Sequence, residues 1–279
     1  MRTKKKLCEF NYPPEFIFLI ILTFGIFNVP YLFSQQKELT AVDSDILHKF
    51  YYERYEEIKT VYQNPLSNSK DVKDFILEGK ALVSFPNNRM RMQNLLDPIE
   101  KQKSNFVFWC PQNFPDNISI SWNFYPIEEP GLCILFFSAK GINGKDIFDT
   151  SLMKREGDYK QYHHGDINAY HISYFRRNEN ERNMQLCNLR KSYGFYMTAQ
   201  GADPIPPVKY AAPPYKMRVV KFEDQIEFYI NDLLVLEWKD DGKTYGPVLN
   251  EGKLGFRQMA PLVAEYSNLK VTQISKKNN

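Results

Sequence analysis

The sequence predicts an all-β fold, an antiparallel sandwich or jelly roll, preceded by one apolar helix and one short amphipathic helix. Two observations carry the sandwich. Short runs with a period of two recur from residue 65 onward, and turn residues separate them with almost no helical periodicity. The clearest run is "NISISWNFYPI", residues 117–127. It places Ile118, Ile120 and Trp122 on one parity and Ser119, Ser121 and Asn123 on the other.

Taken in order, "ALVSF" reads as a strand that ends at Pro86, and "RMRMQN" as an alternating one after the "NN" turn. "NFVFWCP" and "GLCILFFSAKG" are continuous apolar runs of the kind buried on both faces. "INAYHISYFRR" alternates. "YKMRVVKF", "QIEFYI" and "LLVLEW" form a meander joined by the turns "ED" and "ND", and "KLGFRQM" and "YSNLKVTQI" follow. Two stretches are left as long loops, residues 138–166 and 197–214. Loops of that length in a compact domain commonly carry function.

The N-terminal part differs in kind. "MRTKKK" precedes an apolar run from Phe16 to Phe27, the pattern of a secretory signal or an uncleaved signal-anchor over residues 1–34. Residues 35–64 read as a connector. Leu47, Tyr51, Tyr55, Ile58 and Tyr62 recur at spacings of three and four, which predicts an amphipathic helix capped by Asp43 or Ser44. The sandwich is expected over 65–273, with a tail at 274–279.

Composition narrows the function classes. Aromatic residues make up 15% and charged residues 25%, a globular balance. The net charge of +3, without a basic reader motif, gives no case for nucleic-acid binding. Beyond Cys8 in the leading segment, Cys110, Cys133 and Cys187 show no zinc-type spacing. They read as small buried residues, with one disulfide as the alternative in an oxidising compartment. No nucleophile elbow, phosphate loop or HExxH motif occurs, and no cofactor is expected.

The densest polar chemistry lies in "QYHHGDINAYHISYFRR", residues 161–177, which holds three of the four histidines. Strand parity puts Tyr170, Ile172 and Tyr174 toward the core, and His171, Ser173 and Phe175 on the open face. Tyr174 joins His171 only if a β-bulge turns it outward. His163, His164 and Asp166 precede the strand, with Gly165 permitting a tight bend back over it. Histidine titrates near neutral pH and suits a proton-abstracting base. Arg176, Arg177 and Arg190 can clamp a carboxylate in two-point fashion. His163, His164, Asp166 and His171 are also metal-ligand types, but no established metal motif connects them, so no metal is expected. A glycosidase instead needs two carboxyl groups at a set separation. Asp166 is one candidate, and Glu128, Glu129, Asp146 and Asp149 are loop options for its partner. In "FRQM", Arg257 and Gln258 fall on opposite parities, one outward and one inward. Gln200 and Asp203 stand at the entrance to the proline-rich loop.

"FWCPQNFPDNISISWNFYPIEEPGLCILFFSAKG", "YHHGDINAYHISYFRR", "CNLRKSYGF", "QGADPIP" and "GKLGFRQMAPLVAEYSNLKV" occur in order, and together they resemble the bacterial YesU-like family, over roughly residues 61–273. That resemblance implies a concanavalin A-like, galectin-like sandwich of unestablished function associated with pectin (rhamnogalacturonan) breakdown. Three readings stay open. The first is an exported carbohydrate-active enzyme, a lyase or glycoside hydrolase acting on acidic oligosaccharides, with His171, His163, His164 and Asp166 as catalytic candidates. Its substrate contacts would be Arg176, Arg190, Tyr174, Gln200, Arg257 and Gln258. The second is a lectin-like glycan-binding module, and the third a protein-interaction sandwich. Membrane contact is expected only through the N-terminal segment.

Overall fold

Two antiparallel sheets stack face to face in the computed structural model, which describes residues 51–178 and 185–277. In chain order the strands are β1 (Tyr55–Asn64), β2 (Ile76–Gly79), β3 (Ala81–Ser84), β4 (Met90–Asn94), β5 (Phe106–Trp109), β6 (Ile118–Glu128), β7 (Gly131–Gly141) and β8 (Ile167–Arg177). They continue as β9 (Leu186–Ser192), β10 (Tyr196–Ala202), β11 (Tyr215–Phe222), β12 (Gln225–Ile230), β13 (Leu233–Lys239), β14 (Lys253–Met259) and β15 (Val263–Lys276). One sheet runs β13-β12-β11-β6-β15-β4-β3, with β1 paired to the far half of β15. The other runs β10-β9-β8-β7-β14-β5-β2.

The alternation seen in the sequence sets the layer between the sheets. Ile120, Trp122 and Phe124 of β6 meet Leu135 and Phe137 of β7 and Ile172 and Tyr174 of β8 in one continuous apolar core. Its rings pack at oblique angles, with Trp122 5.8 Å from Tyr174 and 5.9 Å from Phe256. Cys110, Cys133 and Cys187 are buried and free. The "ND" turn has both central residues at positive φ, Asn231 at 50° and Asp232 at 64°, which matches the twist of the strands it joins.

Two expectations from the sequence are corrected. Among the described residues the predicted amphipathic helix is present as a helical turn at residues 51–54, and residues 55–64 are strand β1. The far half of β15 would otherwise be an unpaired edge. Pairing Tyr55–Asn64 against Leu269–Lys276 satisfies that backbone, and the run Ile58, Thr60, Val61 favours the extended form. Tyr51 and Tyr55 still bury their rings, against Val220, Tyr229 and Ile274. Spacing at three and four therefore reported burial but not the backbone that achieves it. Residues 196–202, placed within a long loop, form edge strand β10. The apolar segment 1–34 and the connector to residue 50 lie outside the described residues.

The seven-stranded sheet is covered on its outer face as well. Residues 142–166 fold back over it and bring Ile147 and Tyr162 onto Val107, Trp109, Ile134 and Phe136, forming a second, smaller core. A buried ion pair fixes this cover. Arg155 Nη2 donates to Glu78 at 2.6 Å and to the Ile147 carbonyl at 2.7 Å, while Trp109 Nε1 donates to Glu78 at 2.9 Å. Gly157 lets the cover lie close. It has φ 97°, and a Cβ there would sit 2.0 Å from the Asn105 carbonyl oxygen.

Removing one partner of a buried pair strands the other charge. Glu78→Ala should therefore lower the unfolding free energy by roughly 3–5 kcal/mol, read by urea denaturation, with Arg155→Ala of similar size. A change below about 1 kcal/mol would show that the pair does not hold the cover.

Candidate functional site

Where the cover ends, a cleft of about 140 Å3 opens on the outer face of the seven-stranded sheet. Its floor is Leu132 and Ile134 of β7, Ser173 of β8, Asn188 and Arg190 of β9, and Arg257 and Met259 of β14. Its walls are Gln102, Tyr159 and Phe195. Arg176 closes one side. No Asp or Glu is among the described residues that line it.

A bulge puts Arg176 there. Parity assigned Phe175 to the open face, yet Phe175 has φ 45°, and its ring is fully buried between the sheets. Between Gly131 and Cys133 of β7, strand β8 advances from Arg177 to Tyr174, one residue more than its partner. The extra residue sends Phe175 inward beside Tyr174 and turns Arg176 outward. Tyr174 stays in the core, buried against Trp122 and Phe124, and does not belong to the site.

Three guanidinium groups thus share one recess. Arg257 is 2% exposed. Its Nη2 donates to Gln102 Oε1 at 3.1 Å, and its Nη1 has no partner among the described residues. Its guanidinium lies 4.9 Å from the Tyr159 ring centre. The Arg190 guanidinium lies over the Phe195 ring, 3.8 Å from its centre, and donates to the Phe195 carbonyl at 3.2 Å. With its amide turned to satisfy both ends, Asn188 accepts from Arg176 Nη1 at 3.0 Å through its oxygen and donates to the Cys187 carbonyl at 3.2 Å, and Gln200 stands beside it at the rim. Burial holds all three arginines below their ordinary pKa, and Arg190 lowers Arg176 further. They remain charged, so the recess concentrates positive charge. Gln258, on the opposite parity, points inward and donates to the carbonyls of Met92 at 3.1 Å and Leu262 at 3.0 Å. It is a core residue, not a substrate contact.

The histidines take other places than a direct catalytic trio. His171 is on the open face as parity requires, but it is 1% exposed and sits beneath Tyr159, whose hydroxyl shares a 3.2 Å hydrogen bond with Nε2. Burial first, then Arg190, His163 and Arg257, holds its pKa well below the usual histidine range, so it is neutral at pH 7. His163 ends a short helix, α1 (Lys160–His163), and His164 follows it. Their Nδ1 atoms face each other, and His163 packs 4.6 Å from Phe195 and 4.9 Å from Tyr159. The pair therefore buttresses the cleft wall. Asp166 accepts the Met153 amide at 2.8 Å and anchors the cover instead of entering the cleft. Asp146 and Asp149 are likewise engaged, with Lys253 at 2.9 Å and the Ser151 amide at 2.8 Å.

The sequence reading missed Tyr159, Gln102 and Phe195. Tyr159 carried one signal, an aromatic inside a long loop just ahead of the histidine pair. Gln102 and Phe195 gave none, because both reach the cleft from short connections.

The comparisons agree with this architecture. A family model described as a domain of unknown function, DUF1961, matches residues 59–271. The uncharacterized protein YesU of Bacillus subtilis is 51% identical over 220 residues, 78% of this chain and 98% of that one. A crystal structure of a Bacillus subtilis protein of unknown function with a galectin-like fold is 50% identical, covers 80% of this chain and 100% of its own, and superposes with TM-score 0.77. The Emp47p carbohydrate recognition domain shares the fold at 13% identity, with TM-score 0.50 over 80% of this chain and 98% of that one.

His163 provides a test of the wall. Burial first, then His164 and Arg190, lowers its pKa to about 4. The unfolded chain takes up protons below about 6.5 that neither His163 nor His171 accepts in the fold, so stability present above that pH falls as acid is added. The thermal midpoint should drop between about pH 6.5 and pH 5, and drop less steeply in His163→Phe, which keeps the ring against Phe195. Parallel curves for the two proteins would remove His163 from this account.

Proposed function

The chain belongs to the DUF1961 family, and we propose that it binds acidic, uronate-bearing oligosaccharides of the pectin type in the arginine cleft. The proposal includes export by the basic-then-apolar segment at residues 1–34. One observation carries the binding reading. Arg257 is buried with Nη1 unpartnered in a recess that also holds Arg176 and Arg190 and has no acidic side chain among its described lining residues. Three like charges held close repel one another, and a carboxylate relieves that repulsion while accepting two-point hydrogen bonds. The apolar floor of Leu132, Ile134 and Met259 suits the carbon face of a sugar ring. A hydroxyl-rich polymer also matches Ser173, Asn188 and Gln102, each of which can donate and accept.

A second reading adds chemistry to the same site, favoured by the Tyr159–His171 hydrogen bond. In it the cleft catalyses β-elimination. Tyr159 Oη takes the proton from C5 of the uronate while its own proton passes to His171 Nε2, where the imidazolium, opposed in the free site by Arg190 and Arg257, is offset by the uronate carboxylate that those arginines hold. The C4–C5 double bond forms, and the C4–O glycosidic bond breaks with its electron pair leaving on oxygen. The arginines neutralise the carboxylate and stabilise charge that builds on it. His171 is then a positioning and proton-accepting group behind Tyr159. Hydrolysis by a carboxylate pair finds no support in the described lining of the cleft.

Titration calorimetry with polygalacturonate oligosaccharides should give binding that weakens with added salt. Arg190→Ala and Arg176→Ala should each weaken it about 10- to 100-fold, the range of one charge-assisted hydrogen bond. Binding equal in wild type and both variants would reject the cleft as the site. Ultraviolet absorbance of a conjugated uronate alkene, lost in Tyr159→Phe while binding persists, is the result expected of elimination.

A further inference from the structure

We propose that the outer face of the eight-stranded sheet carries a second glycan site, one that takes a neutral, hydroxyl-rich oligosaccharide across β11, β6, β15 and β1. The strand register builds it. Arg218 pairs with Ser121, Ser121 with Lys270, and Lys270 with Gln63, so one lateral row runs over four strands. With strands about 4.8 Å apart, that row is about 14 Å long. Lys216 and Asn123 pair in a second row two residues further along, about 7 Å away. These six side chains line a recess of about 270 Å3, larger than the arginine cleft.

The chemistry of the rows selects the ligand. Among the described residues, the side chains of Gln63, Ser121 and Asn123 make no hydrogen bond to protein, although Ser121 and Asn123 are half-buried. They offer amide and hydroxyl groups at spacings the sheet fixes, able both to donate and to accept. The charge is already largely balanced. Glu57 takes Arg218 at 3.4 Å and Lys270 at 2.9 Å, and Asp232 also lines the recess. A strongly anionic chain therefore gains little here, in contrast to the arginine cleft. The apolar side chains at the recess, Trp122 and Met217, are 2% and 1% exposed. Within the recess a protein partner finds no exposed aliphatic anchor, and Tyr52 at its edge is already engaged by Arg218, which donates to its hydroxyl at 3.4 Å, whereas a sugar strand needs hydroxyl partners in a row.

The two sites lie on the outer faces of opposite sheets and take chemically different ligands, so this site stands or falls independently of the arginine cleft. The full chain is titrated with soluble galactan, xylan and dextran and, separately, with polygalacturonate oligosaccharides. Amide shifts are followed by NMR. At least one neutral glycan should shift the β6 and β11 amides around Ser121, Asn123 and Lys216. Its affinity should fall about ten-fold in Asn123→Ala/Gln63→Ala, the loss of about two neutral hydrogen bonds, with the thermal midpoint as fold control. Arg190→Ala should leave neutral binding unchanged, and polygalacturonate should not perturb these amides. The proposal is overturned if none of the neutral glycans binds, if the double variant binds one as tightly as wild type, or if Arg190→Ala abolishes neutral binding. Loss of polygalacturonate binding alone would count against the cleft only.

Discussion

The buried Glu78–Arg155 pair is the interaction on which the site depends. A sandwich needs only one apolar layer, yet Trp109, Phe136 and Ile134 make the outer face of the seven-stranded sheet apolar too. That face requires a lid of protein. Residues 142–166 supply it, and Arg155 secures it by reaching through to Glu78 on edge strand β2 and to the Ile147 carbonyl. Because the cover is anchored on β2 and β5, it ends above β8, and that is where Tyr159 stands over His171. The cleft is the uncovered remainder of the same face.

This arrangement explains why charge collects where it does. Beneath the cover β5 and β7 carry Val107, Trp109, Ile134 and Phe136, while Ser173, Asn188 and Arg190 stand on β8 and β9 beyond it and Arg257 on β14 reaches the cleft from between the covered strands. The Phe195 and Tyr159 rings pack against the Arg190 and Arg257 guanidinium groups at 3.8 and 4.9 Å and restrict their movement. The arginines are therefore arrayed in advance of any ligand, and little side-chain freedom remains to be lost when one arrives. The imidazole of His171 is kept neutral by the same surroundings, first by its burial and then by Arg190, His163 and Arg257.

The sandwich was legible because period-two alternation is a direct image of a sheet with one face in the core. Ile118, Ile120 and Trp122 announced their parity, and so did His171 and Ser173. The site was legible only where parity held. Phe175 broke it through a bulge that no residue type advertises, and this is why Arg176 reaches the cleft and Tyr174 does not. The choice between Arg257 and Gln258 needed the sheet itself. Tyr159 was hidden for another reason: its position is set by the packing of Tyr162 and by the ion pair that Arg155 makes with Glu78, 77 positions before it, not by its own neighbours in sequence. β1 shows the same limit. Its tyrosines recur as they would on a helix, but the open edge of β15, more than 200 residues on, decides the backbone.

The two strands nearest the C-terminal end occupy interior places. β14 lies between β7 and β5, and β15 lies between β6 and the β4–β1 pair. Each joins strands made long before it, so neither sheet is continuous until residues 253–276 have been synthesised. Without them β7 and β5 have no common neighbour, and β6 loses its connection to β4 and β1. Neither sheet can therefore close over its core without these two strands, and a change that weakened either would open a sheet in its middle and not at its edge.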